Sequence, residues 1–312
     1  MKILVAGATG ALGRVLVPKL VERGHEVAGM TRSESKRELV RGLGAQPVVA
    51  DALDPRAVAQ AVAEAGPEAI VHQMTALAGK LDVRKIEQSF EQTNRLRTEG
   101  TDHLLAAGRA IGTRRFVAQS FAGWPFARAG GPVKTEDDPL DTDPPRQMRT
   151  LLAAIKHLED AVTGAGDVEG IVLRYGGFYG PGTSMALDPD GEQVAMLRKR
   201  KLPIVGDGGG VWSFVHVEDA AEATALAVER GAPGIYNVVD DSPAPVNEWA
   251  PAAAHALGAK PPRRVPRWLG KLAAGEAAVV MMTEIRGASN AKAKRELGWQ
   301  PSHASLWESL AG

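Results

Sequence analysis

Three glycines with two residues between neighbours lie near the start of the chain, at Gly7, Gly10 and Gly13. The apolar run Lys2–Ala6 before them has the length of a strand, and apolar residues recur after them at helical spacing as far as Leu20. A strand, a glycine-rich turn and a helix in this order can cradle a pyrophosphate, because glycines let backbone N–H groups approach it and the helix N-terminus carries partial positive charge. We therefore predict a dinucleotide site, against the alternative of an ordinary strand, turn and helix. Its contacts are predicted to come from Gly7, Thr9, Gly10, Ala11, Leu12, Gly13 and Arg14.

Two arginines beside this turn bear on the kind of dinucleotide. The second predicted strand closes with Thr31-Arg32-Ser33, and not with the acid that would bind the ribose hydroxyls of NAD. Arg14 adds a second guanidinium directly after the glycines, and arginine can bind a phosphate bidentately. The pattern favours NADP over NAD; the alternative is that both arginines are solvated surface residues.

The elements that must position these residues alternate between strands and helices over the first half of the chain. The predicted strands are Lys2–Ala6, Glu26–Met30, Gln46–Ala50, Glu68–His72, Arg115–Gln119 and Gly170–Arg174. Helices are predicted over Arg84–Ile111 and Leu151–Val162, and the Gly-, Pro- and Asp-rich stretch Gly130–Pro145 is predicted to be a loop. This alternation predicts an α/β fold with a doubly wound parallel sheet.

The composition of the chain excludes several classes of functional site. The chain has 312 residues, a net charge of zero and no cysteine, which excludes disulfides, thiolate catalysis and cysteine-based zinc sites. No basic run suggests nucleic acid, and the apolar run Ala273–Met282 is too short to span a bilayer. Because the chain opens on a predicted core strand and not on a leader, we expect a cytoplasmic protein. We expect a small-molecule substrate, with no metal, nucleic acid or membrane as a partner.

Five later segments, taken with the opening glycines, resemble the extended short-chain dehydrogenase/reductases of the NAD(P)-dependent epimerase/dehydratase type. These segments are Arg115–Ser120, Leu173–Gly182, Phe214–Ala221, Gly234–Val238 and Leu297–Pro301. The resemblance implies a Rossmann-type domain of residues 1–178, to which residues 211–240 return. It also implies a smaller C-terminal substrate-binding lobe made of residues 179–210 and 241–312.

The acid/base pair of that family, a tyrosine four residues before a lysine on one helix face, is incomplete in this chain. Lys156 matches the lysine, but Leu152 occupies the place of the tyrosine. The three tyrosines of the chain, Tyr175, Tyr179 and Tyr236, have no lysine four residues after them. The resemblance implies that Lys156 keeps a contact with the cofactor ribose; the alternative is a lysine on the helix surface.

Other site residues are also implied by the resemblance. Phe121 occupies the place of the family's catalytic hydroxyl, so Ser120 becomes the candidate to polarise a substrate carbonyl. Asp51 matches an adenine contact, with a helix cap as the alternative, and Ala52 and Met74 complete the predicted cofactor contacts. His157, directly after Lys156, is expected to be a solvated helix residue.

The substrate side of the predicted cleft is apolar. Its aromatic and methionine side chains are Phe121, Trp124, Phe126, Met148, Phe178 and Trp212. The resemblance implies that Tyr179 shapes the substrate pocket. Arg174 and Arg286 are candidates to bind an anionic group of a substrate. Packing in the protein core is the alternative for the aromatic residues.

Three functions agree with these features. The first is an NADP(H)-dependent reductase that acts on a small, partly apolar carbonyl, imine or alkene without a catalytic tyrosine. The second is a nucleotide-sugar epimerase or dehydratase, and the third is a non-catalytic NADP(H)-binding sensor. The helices over Arg84–Ile111 and Leu151–Val162 could pair in a homodimer, as they do in relatives.

Overall fold

A computed structural model describes residues 1–77, 85–187 and 191–311. Its strands are β1 (Lys2–Ala6), β2 (Glu26–Thr31), β3 (Gln46–Val49), β4 (Ala69–His72), β5 (Arg115–Phe121), β6 (Val133–Lys134), β7 (Glu169–Tyr175), β8 (Gly177–Tyr179), β9 (Ile204–Val205), β10 (Val211–Trp212), β11 (Phe214–His216), β12 (Gly234–Val238), β13 (Ala244–Pro245), β14 (Arg264–Val265) and β15 (Gly287–Ala288). Its α-helices are α1 (Ala11–Glu22), α2 (Arg37–Gly42), α3 (Pro55–Ala65), α4 (Ile86–Arg95), α5 (Thr101–Ala110), α6 (Arg149–Thr163), α7 (Glu192–Arg198), α8 (Val217–Arg230), α9 (Val246–Ala256), α10 (Arg267–Thr283), α11 (Ala291–Leu297) and α12 (Leu306–Ala311).

Seven of these strands form one parallel sheet in the order β12-β7-β5-β4-β1-β2-β3. The strand order reverses beside β1, since the chain runs outward to β3 and then returns to β4 on the other side. In open α/β sheets this reversal leaves a crevice at the carboxyl ends of the strands, where ligands bind. The predicted α/β fold with a doubly wound parallel sheet is confirmed.

The sheet is covered on both faces because its strands are apolar on both sides. Side chains of α1 and α8 pack with one face, and those of α3, α5 and α6 pack with the other. The returning segment brings α8 against α1 and places β12 at the sheet edge beside β7. A third apolar cluster, around Trp249, Phe214 and Tyr179, joins β8 and β11 to the helices α7, α9 and α12.

Two predicted elements differ in detail from the observed ones. The long helix predicted over Arg84–Ile111 consists of α4, a π-helical turn at Leu96–Gly100 and α5, while its first predicted residue, Arg84, lies outside the described residues. The predicted loop Gly130–Pro145 contains β6, which pairs with β15. The short length of β6, only two residues, explains why composition alone indicated a loop. No described helix is long and apolar enough to cross a membrane.

Candidate functional site

The glycine turn after β1 is built as a close-packed cradle. Gly7 has a φ of +97°, and a Cβ there would lie 2.8 Å from the carbonyl oxygen of Gln73 after β4. A Cβ on Gly13 would lie 2.4 Å from the carbonyl oxygen of Gly7, so neither position accepts a side chain. Gly10 precedes α1 as its N-cap, and the first N–H groups of that helix have no carbonyl partner within the helix. Such a turn fits the pyrophosphate of a dinucleotide.

The other predicted residues of the turn contribute in different ways. Gly10 is exposed and Thr9 and Ala11 are half-buried, whereas Leu12 is only 3% exposed and packs in the core. Leu12 can therefore offer a ligand only its backbone N–H. Arg14 is exposed, and its Nε donates to the carbonyl oxygen of Thr9 over 3.1 Å, which holds the guanidinium beside the turn.

Arg32 directly follows β2, at the sheet edge where β1 also ends. It is exposed and forms no ion pair with any residue in the described ranges. The hydroxyls of Ser33 and Ser35 lie 2.8 Å apart just beyond it. Guanidinium and hydroxyl groups at this corner suit a phosphate on the adenosine ribose.

Asp51 and its neighbours line the same side of the cleft. The Asp51 carboxylate accepts the N–H of Leu53 over 3.0 Å in a tight turn, while Asp54 is the residue that caps α3. The helix-cap alternative for Asp51 is therefore wrong. The side chains of Ala52 and Met74 each lie 3.8 Å from the position that a Cβ on Gly100 would take, so both contact the π-helical turn.

Ser120 takes part in a buried network at the ends of β5 and β7. Its hydroxyl donates to Oε1 of Glu159 over 2.6 Å, and Arg174 binds both oxygens of the same carboxylate at 2.8 and 2.6 Å. All three side chains are buried, and the Arg174 guanidinium also lies 5.3 Å from the ring centre of Phe126. Glu159 thus accepts the hydrogen of the Ser120 hydroxyl and binds two nitrogens of Arg174, while the predicted roles of both residues toward a substrate stay predictions.

Lys156 does not join this network. Its side chain is 65% exposed and pairs with Asp160 one turn further along α6, at 3.0 Å. The buried side of α6 carries Leu151, Leu152 and Ile155. Without cofactor Lys156 thus lies on the exposed side of the helix, and its contact with the cofactor ribose stays a prediction. His157 is also exposed and pairs with Asp102, as expected of a solvated residue.

The three tyrosines of the chain are buried and are held by their own contacts. Tyr175 is buried and its hydroxyl lies 2.6 Å from Thr224 and 3.3 Å from Gln73; burial raises its pKa above the ordinary value. Tyr236 donates to the carbonyl of Ala232, and burial raises its pKa too. Tyr179 packs against the ring of His216, and burial again raises its pKa. A raised pKa makes each phenol a weaker proton donor near neutral pH.

The predicted aromatic substrate side is divided among separate clusters. Phe121 and Trp124 are half-buried at the end of β5, with ring centres 6.5 Å apart. Phe178 packs on Tyr175 at 5.3 Å. Trp212 belongs to the cluster around Trp249.

The remaining substrate candidates are held by their own contacts. Trp212 donates its indole N–H to the carbonyl of Met281, and Arg286 donates to the carbonyl of Arg128. Phe126 and Met148 are buried. The core-packing alternative describes the buried Phe126 and Met148, whereas the half-buried Trp212, Phe121 and Trp124 stay candidates for a ligand surface.

Two buried charged residues, Glu159 and Arg97, were missed from the sequence. Glu159 is 4% exposed on α6, and Arg97 is 5% exposed in the π-helical turn before α5. Both lie in helical segments that also carry many exposed charged residues. Hydrophobic periodicity therefore could not distinguish these two buried charges from the exposed ones. The spacing of fifteen residues between Glu159 and its partner Arg174 crosses a helix, a loop and a strand, and carries no local signal.

Comparisons with known proteins agree with this geometry. The NAD dependent epimerase/dehydratase family matches residues 3–238. A 3-diazoavenalumate denitrifying reductase from a Streptomyces species is 45% identical over 99% of both chains. A 2-alkyl-3-oxoalkanoate reductase from Stenotrophomonas maltophilia is 33% identical over 83% of this chain and 76% of its own length.

Solved structures match the whole fold. A UDP-glucose 4-epimerase from Thermus thermophilus, in complex with NAD, has a TM-score of 0.75 and 27% sequence identity. The alignment covers 100% of this chain and 97% of the epimerase. The similarity therefore extends through the sheet and the elements that follow it.

Proposed function

The chain belongs to the NAD dependent epimerase/dehydratase family and is an enzyme, and we propose that it is an NADPH-dependent reductase of a small, partly apolar substrate. The two relatives described above at 45% and 33% identity are both named reductases. Arg14 and Arg32 support NADPH over NADH, because they place two guanidinium groups beside the glycine turn.

One observation supports the choice of reaction: the buried side of the first half of α6, before Glu159, is apolar. It consists of Leu151, Leu152 and Ile155. Leu152 is the residue that stands in the place of the family's tyrosine. Reduction of a carbonyl or an imine needs a proton as well as a hydride, and loss of a positioned acid costs about 10²–10⁴ in rate. A site of this kind favours a substrate whose reduction needs no proton.

A substrate that is already an aryl diazonium cation meets this requirement. When bound, NADPH would supply a hydride, whose electron pair would form the new C–H bond at the substrate carbon while the pair of the breaking C–N bond would leave with dinitrogen. This step would oxidise the cofactor by two electrons and would transfer no proton. The name of the Streptomyces relative, a denitrifying reductase of a diazo compound, supports this class of substrate.

The residues of this chain would bind and shield the reactants. The glycine turn and the N-terminus of α1 would hold the pyrophosphate, and Arg32 would contact the phosphate on the adenosine ribose. Phe121 and Trp124 offer apolar surface at the end of β5, which would keep water from a reactive diazonium carbon.

The experiment is an assay of NADPH oxidation with three substrates offered separately: an aryl diazonium carboxylate, a 3-oxo ester and UDP-glucose. We expect stoichiometric oxidation of NADPH and release of dinitrogen with the diazonium, at a rate well above that of the Gly10→Val variant, which controls for the uncatalysed reaction. Conversion of UDP-glucose would support the epimerase alternative. Binding of NADPH with no turnover of any of the three would support the sensor.

A further inference from the structure

One buried cation near the end of β4, Arg97, has no use in the reaction as described so far. Its side chain is 5% exposed, and it belongs to the π-helical turn between α4 and α5. Its Nη1 has no hydrogen-bond partner, and its guanidinium forms no ion pair, within residues 1–77, 85–187 and 191–311. Burial of an unpaired charge is strongly unfavourable, so the position implies a compensating group that is not part of the described chain.

Arg97 lies at the cleft end of the sheet. The carbonyl of its neighbour Leu96 accepts from Nε2 of His72, the last residue of β4, over 3.1 Å. Gly100, in the same turn, lies against Ala52 and Met74, which line the predicted cofactor side. On the other side Arg97 is within the electrostatic reach of Glu159 on α6. Open α/β sheets bind ligands at this edge, and π-helical turns are frequent at functional sites.

The neighbouring groups leave a positive charge uncompensated. His72 is neutral, since its Nδ1 accepts from the N–H of Met74 and burial lowers its pKa to about 4. Both oxygens of Glu159 are bound by Arg174, whose own Nη1 also has no partner among the described residues. Burial lowers the pKa of Arg97 to about 10, which leaves it charged at neutral pH.

A second carboxylate in this region, that of Glu136, does not neutralise the excess positive charge of the two arginines. Glu136 accepts the backbone N–H of Asn237 over 2.7 Å and lies near Lys292 as well as Arg174. The negative charge of Glu136 is therefore shared with the ammonium group of Lys292. Two buried guanidiniums, Arg97 and Arg174, thus share the one carboxylate of Glu159.

We propose that Arg97 binds a carboxylate group of the substrate and so selects acids over their neutral analogues. This proposal rests on the proposed function, because it places the substrate at the ends of β4 and β5. A guanidinium binds a carboxylate through two parallel hydrogen bonds, and the phosphates of the cofactor are already assigned to the glycine turn and Arg32. Phe121 and Trp124 at the end of β5 would contact the apolar part of the same molecule.

The test is calorimetric titration of the NADP⁺-saturated protein with benzoate and 3-phenylpropanoate, each compared with its amide. We expect at least one acid to bind the unmodified protein roughly 10- to 100-fold more tightly than its amide, the range that a charge-assisted hydrogen bond supplies. The Arg97→Met variant should lose this preference. The matched control is Arg95→Met, an exposed arginine on the preceding helix that pairs with Glu99, and it should keep the preference.

Two further measurements separate a ligand-binding arginine from a structural one. Without ligand, Arg97→Met should unfold at the same temperature as the unmodified protein or at a higher one, because an unpaired buried charge is removed. Its affinity for NADP⁺ should be unchanged. A lower unfolding temperature, weaker NADP⁺ binding, an acid preference that persists in Arg97→Met, or no preference in the unmodified protein would overturn the proposal. The two proposals can fail separately. If Arg97→Met loses the acid preference but the unmodified protein oxidises no NADPH, the carboxylate site is supported and the reductase is rejected.

Discussion

Replacement of Glu159 by glutamine tests whether the network at the ends of β5 and β7 depends on a buried charge. The change keeps the size of the side chain but removes the negative charge that both Arg174 and Ser120 contact at 2.6–2.8 Å. Side chains of Glu159 and Arg174 are only 5% and 4% exposed, so water cannot replace the lost partner. Removal of one member of a buried ion pair costs about 3–5 kcal/mol, because the other charge is left unpaired.

The assay is urea unfolding followed by far-ultraviolet circular dichroism, without cofactor. Glu159→Gln should lose about 3–5 kcal/mol of unfolding free energy. Asp160→Asn, the next residue on α6, is the matched control: its pair with Lys156 is 65% exposed, and such a pair contributes about 0–1 kcal/mol. The double variant Glu159→Leu/Arg174→Met should recover part of the loss, since it removes the Arg174 charge that Glu159→Gln leaves unpaired, while Arg97 still lacks the Glu159 carboxylate. If Glu159→Gln were no less stable than Asp160→Asn, the buried network would not have the energetic role inferred from its geometry.

Three other changes test the cofactor side and the buried carboxylate of Asp240. Gly10→Val should abolish NADPH binding in a fluorescence titration while the circular dichroism stays unchanged, because the side chain would enter the phosphate cradle; normal binding would contradict the cradle. Arg32→Ala should weaken NADPH binding by roughly 10- to 100-fold and leave NADH binding almost unchanged, and an equal loss for both would show that Arg32 does not contact the 2′-phosphate. Burial and the charges of Asp241 and Asp219 raise the pKa of Asp240 to about 7, and its Oδ2 has no partner in the described part of the chain. The folded state therefore keeps a proton that the unfolded state releases, so stability should fall as pH rises through about 7, and Asp240→Asn should flatten this dependence in thermal unfolding.

The local elements of the cofactor half could be predicted because their signals are short in range. The strand, glycine turn and helix from Lys2 to Glu22 follow from residues that are neighbours in sequence. Strand bounds differed by only one or two residues; β5, for example, extends to Phe121. Parallel pairing then follows from the alternation of strands and helices.

The chemistry at the other end of the cleft could not be predicted, because it depends on which side of a helix faces the sheet. Lys156 and Glu159 lie three residues apart on α6, yet one is exposed and the other buried. Ser120, Glu159 and Arg174 come from three elements and meet only in the folded chain. Arg97 became recognisable only when its burial and its lack of a partner among the described residues were seen together.

The most direct test of hydride transfer without a proton donor is the isotope content of the reduced product. NADPH deuterated at C4 is supplied with an aryl diazonium carboxylate in ordinary water, and the product is analysed by mass spectrometry. We predict one deuterium at the carbon that lost dinitrogen and none elsewhere. A product that carries hydrogen from water at that carbon would contradict the account, because the bond would then have formed by protonation and not by hydride transfer.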